Sequence, residues 1–371
     1  MMTKTAWFVI FVGLACWSVS ASAQQRGGAP DAAAPAAIIC AGTPQAAAPA
    51  ARGGGGGRGA AAAPPTGVAP PAPVVTTTDI PGVIKSGLTW TQLFEATGNN
   101  GDGIVADKDG NIYFAQEINS AVVKIDKNDK VAVFAESPGT GSLAVDQKGR
   151  ILTVQKMALP NAPQNSGPKA PPTAGIAEVW PNKRILADTF EDGSKWTGNP
   201  GDLAVDNRGG AYMVQGCLYY ADPAGTIHLA ADDLRANGIT MSPDYKILYV
   251  THAAPPAPST VVAFDVQPDG KLTNRRTFAT LREGNGNGAG ADAAGRVYVP
   301  VGAAIQVFAK DGMYLGSIPT PGGVISVAFG GPNHRTLYAV INAGAGLEGV
   351  QPTRRVFRIP ALATGLKNRG K

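Results

Sequence analysis

Apolar and polar positions alternate along most of this chain in short runs of four to eight residues, each ended by a turn rich in Asp, Gly, Asn or Pro. The pattern recurs. GDGIVADKDGNIYFA begins at Gly101, TGSLAVDQKGRILTV at Thr140 and PGDLAVDNRGGAYMV at Pro200. ANGITMSPDYKILYV follows from Ala236, GNGAGADAAGRVYVP from Gly286 and VISVAFGGPNHRTLYAV from Val324. Each copy reads as a β-hairpin, because a period of two places one face of a strand inward and the turn residues accept tight backbone geometry. A second pair of strands follows most copies, as in SAVVKIDKNDKVAVFAE and STVVAFDVQPDGKLTNRRTFATL. Four strands in each of six copies, recurring at about 35 to 60 residues, predict an all-β, six-bladed β-propeller. A proline-rich insertion, Leu159 to Thr173, accounts for the wide interval between the second and third copies. The strand-like Leu88 to Thr97 is expected to close the ring as the outer strand of blade six, beside Val356 to Ile359.

The innermost strand of each propeller blade lines the channel, so equivalent positions form a ring. The turn residues Asp107, Asp146, Asp206, Ser242, Asp292 and Gly330 anchor the six copies. Five residues earlier stand Asp102, Gly141, Gly201, Asn237, Asn287 and Ile325. Three of these bear side-chain oxygens and two are glycines that leave room. Each Asx-Gly is also a common strand-start pair. Their shared register in a repeat points to more than turns: a carboxylate and two amide carbonyls suit a hard divalent cation completed by water.

The chain begins with Lys4, an apolar run from Ala6 to Trp17 and Ala21-Ser22-Ala23, which reads as a cleaved secretory signal over residues 1–23 and an exported, periplasmic or extracellular protein. Residues 24–76, mostly Ala, Pro and Gly, have few large side chains to bury and read as a disordered linker. Residues 77–362 form the propeller and 363–371 a basic tail. No later run is long and apolar enough for a transmembrane span.

The formal charge of +5 arises at the ends. The signal, the linker and the stretch from Arg354 to Lys371 together carry more positive charge than the whole chain, so the body is net acidic. A nucleic-acid face is therefore not expected, and the final basic stretch reads as a solvated end. Beyond the signal only Cys40 and Cys217 remain, too far apart in sequence for a framework, and a free or partly buried thiol is expected. His228, His252 and His334 show no zinc spacing.

The passage TIHLAADDLRANGITMSPDYKILYVTHA, then VVAFDVQPDGKLTNRRTFATL, SIPTPGG and VAFGGPNHRTLYAV, resembles the senescence-marker-protein, gluconolactonase and luciferin-regenerating-enzyme family of six-bladed propellers. The resemblance covers about Trp90 to Val340. It implies a divalent metal at the channel mouth and hydrolysis of sugar lactones or related esters. Asn237 matches the family asparagine with its surroundings. Asp102 stands where glutamate is usual, Asn287 where the family has an aspartate that serves as ligand and proton acceptor, and Gly201 where an asparagine is common, with Asp202 retained after it. The site keeps its oxygen-rich shape and loses charge.

The expected site therefore has Asp102, Asn237 and Asn287 as ligands of a divalent metal, calcium first, with zinc, manganese or magnesium as alternatives. Asp102, Asn287 and Asp202 are the candidate catalytic residues. An amide cannot take a proton, so Asp102, Asp202 or Glu283 must serve as base. Gly201, His252 and Glu283 are the candidates for substrate contact. Glu117, after IYFAQ, reads as a strand cap or a channel residue outside the ring. The partner expected is a small lactone or ester, met by a monomer. A binding propeller without turnover and a tethered scaffold are the competing readings.

Overall fold

The computed structural model describes residues 66–98, 101–158, 169–253, 256–344 and 347–367. The chain divides into two units, Met1–Ala37 and Ile38–Lys371, and all described residues belong to the second. The expected signal, most of the linker, the last residues of the tail and most of the proline-rich insertion lie outside the described residues.

Each repeat folds as an antiparallel meander, and the sheets stand as blades around a channel. Blade one holds Gly101–Ala106, Ile112–Gln116, Ala121–Ile125 and Val131–Glu136 in spatial order. Blade two holds Thr140–Val145, Ile151–Gln155, Gly175–Trp180 and Arg184–Ala187. The long strand Thr226–Met241 is shared: its first part pairs with Ala211–Ala221 in blade three, and its last part pairs with Ile247–His252 in blade four. Asp202–Val205 is the inner strand of blade three, and Thr189–Phe190 lies parallel to the start of the shared strand at its outer edge. That two-residue strand gives blade three its fourth strand, but it runs parallel and comes from the segment before the inner strand rather than after it. Thr260–Val266 and Leu272–Thr280 complete blade four.

Blade five runs Gly290–Ala291, Val297–Val301, Ala304–Phe308 and Tyr314–Pro319. Blade six combines Gly323–Gly330, Thr336–Ala343 and Thr353–Pro360 with Thr91–Thr97 from the other end of the domain. The ring thus closes by the pairing that the sequence predicts, with Phe94 opposite Val356.

Apolar side chains from facing blades pack into layers. Val105, Tyr113 and Val122 of blade one meet Leu143, Val145 and Ile151 of blade two. Tyr212, Val214 and Leu218 of blade three meet Ile239, Met241 and Leu248 at the next boundary. The repeated turn aspartates fix each hairpin. Asp107 accepts hydrogen bonds from the backbone N–H of Asp109 and Asn111, both at 2.9 Å, and from the Tyr113 hydroxyl at 3.0 Å. Asp206 accepts from Tyr220 at 2.8 Å and Asp292 from Tyr298 at 2.8 Å. Burial, with the Asp206 charge beside it, pushes the Tyr220 hydroxyl up to about 12. These acids are structural, which is why the repeat is so visible.

Near the channel the inner strands approach too closely for side chains. A Cβ on Gly103 would strike Ser142 and Leu143, and one on Gly238 would overlap the Asn287 carbonyl. Gly288 bridges Ser326 in parallel, so neighbouring inner strands run in the same direction and present their N-terminal ends at one mouth. Gly238→Ala is expected to destabilise the domain by about 2–3 kcal/mol, since the clash is with backbone and separates blades four and five. Chemical denaturation would measure it, and a change within about 0.5 kcal/mol, the range of neutral surface substitutions, would contradict this packing.

Three sequence expectations change. The stretch beginning at Arg354 is not a solvated end: Arg354 and Arg355 are 7% and 5% exposed, and both lie in the strand that closes the ring. Cys217 is fully buried and disulfide-bonded rather than a free thiol. The final part of the expected linker is docked, with the Gly67 N–H donating to the Gly349 carbonyl at 2.8 Å and Ala69 buried. In both terminal cases a low-complexity or basic composition concealed a pairing made with a distant segment of the chain. Among the described residues no helix is long and apolar enough to cross a membrane.

Candidate functional site

The N-terminal ends of the inner strands and the C-terminal ends of the second strands meet at one mouth of the channel, because the two run antiparallel. Asn237 and Asn287 come together there. The Asn237 side-chain amide donates to the Gly286 carbonyl at 3.1 Å and lies 3.4 Å from Asn287 Oδ1. Asn287 Oδ1 also accepts the Gly288 N–H at 3.1 Å. That leaves Asn237 Oδ1 and Asn287 Nδ2, an acceptor and a donor, without a hydrogen-bond partner among the described residues. Gly201 lies alongside on blade three, and a Cβ built there would meet nothing nearer than 3.7 Å. The ring register read from the sequence holds on this side.

His252 ends the strand beside Ala236. Its Nδ1 accepts the Arg235 N–H at 3.0 Å, which places the proton of the neutral ring on Nε2. Burial, helped by the nearby Arg275 and Arg235 charges, holds its pKa below the usual histidine value. The imidazole is therefore a neutral donor near Asn237. Glu283 is exposed on the loop entering blade five, and its carboxylate has no hydrogen bond among the described residues.

Asp102 lies three blades from Asn237 and has a different set of neighbours. Its Oδ2 is 3.4 Å from the Lys156 ammonium. The same ammonium forms a close ion pair with Glu117, whose side chain is 1% exposed. Lys156 crosses from blade two to blade one, and Gly141 makes this possible: a Cβ there would lie 2.8 Å from Lys156 Cε. Burial alone would push the Lys156 pKa down. The Glu117 and Asp102 charges more than offset that and hold it above the ordinary lysine value. Arg354 joins from blade six, donating from Nε to the Gly101 carbonyl at 2.9 Å and bonding Asn342 Oδ1. Burial lowers the Arg354 pKa, while the Glu117 and Asp102 charges act to raise it.

Asp202 is not placed to act as a base. It is 3% exposed. One oxygen bonds the Ser142 hydroxyl and accepts the Leu203 N–H at 3.0 Å, and the other accepts the Ile239 N–H at 3.0 Å. The carboxylate fastens blades two, three and four together.

Lys156 and Arg354 are the residues that sequence reasoning missed. Lys156 lies outside the anchored register, at the end of a second strand, and Arg354 falls in a basic run. Only Glu117 carried a signal, as an acid directly after a strand.

Residues 187–341 match the family model described as the SMP-30/Gluconolactonase/LRE-like region. The chain carries an SMP-30/gluconolactonase/LRE-like region. That region contains Asn237, His252 and Asn287 but neither Asp102 nor Lys156. A lactonohydrolase of Aspergillus oryzae is 31% identical over 154 residues, 35% of this chain and 33% of that relative's length. Among solved structures, a gluconolactonase from Xanthomonas campestris superposes with a TM-score of 0.60 at 21% identity, covering 79% of this chain and 99% of that one. A calcium-binding regucalcin from Agrobacterium tumefaciens gives a TM-score of 0.54 at 14% identity, covering 72% of this chain and 94% of that one. Both likenesses are of fold.

The donors around this mouth do not fit the divalent cation that such a region implies. A hard cation seeks six to eight oxygens, with carboxylates foremost. Here Asp102 and Glu117 are held by an ammonium, and Arg354 adds a second positive charge. The remaining pair, Asn237 and Asn287, contributes neutral amides. Among the described residues no group of three or more His, Cys, Asp or Glu gathers to hold a metal.

Proposed function

We propose that this propeller is a hydrolase of sugar lactones or other small carboxylic esters, working at the channel mouth between Asp102 and the Asn237–Asn287 pair. What carries the reading is the polar atoms left open to a ligand at this mouth, those of Asn237 and Asn287 lying within the lactonase-like region. Asp102 Oδ1 has no partner among the described residues, while Oδ2 is oriented by Lys156. Asn237 Oδ1 and Asn287 Nδ2 stand open across the channel.

In this reading Asp102 Oδ1 takes a proton from a water molecule as the water oxygen bonds to the acyl carbon. The Lys156 ammonium orients the carboxylate and offsets the negative charge growing on the carbonyl oxygen, an effect strengthened by its buried setting. The ester C–O bond breaks, the proton returns to the leaving oxygen, and a hydroxy acid results. Asn237, Asn287 and the Nε2–H of His252 bind substrate hydroxyls. Export belongs to the same proposal: a disulfide-bonded Cys217 suits an oxidising compartment.

The test is turnover of a panel of aldonolactones and short esters, followed by titration of released acid. Saturable, protein-dependent hydrolysis of at least one member is expected. Saturable binding of lactones without hydrolysis would favour a ligand-binding propeller, the reading suggested by an amide at position 287.

A further inference from the structure

We propose that the Lys156 ammonium is the resident cation of this channel, occupying by covalent attachment the place for which the sequence suggests a divalent ion. The inference concerns the mouth assigned above to hydrolysis. Its readout is ion binding, so absence of turnover would leave it standing.

Four observations carry it. The ammonium contacts both carboxylates of this side of the mouth, Asp102 at 3.4 Å and Glu117 more closely. Its approach is built into the backbone, since Gly141 and Gly101 vacate the space through which Lys156 and Arg354 reach inward. The cluster is electrically complete: two carboxylates face two cations, so a further double charge would meet an ammonium and a guanidinium at short range with no uncompensated acid to attract it. The opposite side offers amides, which bind a hard cation weakly when no carboxylate assists.

A fixed ammonium differs chemically from a bound ion. It cannot dissociate or be removed by a chelator, and it can donate hydrogen bonds in three directions. The mouth is therefore expected to keep its charge and shape whether or not divalent ions are present.

The test uses the purified full-length protein, mature if processed, dialysed against Ca²⁺ or Mn²⁺ and then freed of excess. Metal content is read by elemental analysis, and binding by calorimetry and by Mn²⁺ paramagnetic resonance. Wild type is expected to hold no stoichiometric ion and to show an unchanged unfolding temperature with Ca²⁺ or chelator. Lys156→Gln removes the ammonium from beside both carboxylates, leaving Arg354 as the remaining cation of the cluster, and is expected to gain an ion, roughly one per chain. Wild type carrying one equivalent that Asp102→Asn abolishes would overturn the proposal. So would a folded Lys156→Gln protein that gains no ion. Should that variant not fold, the wild-type titration alone decides.

Discussion

Asp102→Asn is expected to lower the rate of lactone or ester hydrolysis by about 10²–10⁴-fold, the usual contribution of a positioned general base. The substitution preserves volume and leaves Lys156 paired with Glu117, so the fold should remain and the loss should fall on kcat. An amide at position 102 cannot accept the proton that the attacking water must lose. Glu117 and Asp202 do not replace it. Glu117 is buried against Lys156, and Asp202 has its oxygens occupied by Ser142, Leu203 and Ile239. Steady-state kinetics on the best substrate of the panel, with thermal unfolding as control, make the comparison. A variant that keeps more than a third of wild-type kcat would remove Asp102 from the mechanism.

Lys156→Met is expected to destabilise the domain by about 3–5 kcal/mol, because removing one member of a buried pair strands the other charge. Glu117 is the stranded group. The Arg354 guanidinium, which the Glu117 charge already influences, keeps the loss toward the lower end. For a domain of this size the midpoint should fall by roughly 6–20 °C. Adding Glu117→Gln to Lys156→Met should recover part of the loss, since the buried charge is then gone with its partner. A double-mutant cycle measures this, with a coupling of at least about 1 kcal/mol expected for groups in direct contact. Additive effects of the two substitutions would mean that the pair does not act as a unit.

Hairpin alternation and turn chemistry made the architecture legible in the sequence. Asp107, Asp146, Asp206 and Asp292 each serve their own hairpin, so a local signal at a fixed offset marked four of the six copies. The same offset placed Asn237 and Asn287 in one register, and they do meet. Ring closure by Leu88–Thr97 was readable for the same reason: a strand with no neighbour at one end of the domain implies a partner at the other.

The charged half of the mouth depended on tertiary structure. Lys156 reaches an acid 54 residues away only because blades one and two stand side by side and Gly141 lacks a side chain, facts that no local pattern contains. Arg354 looked like part of a solvated basic run until strand pairing drew it inward. Asp202 looked like a candidate base until blades two and four closed over its oxygens. Local periodicity fixed the scaffold because the energy of a hairpin is set by neighbours in the chain. The character of the site was decided by which long side chains cross between blades, and that depends on packing between segments far apart in sequence.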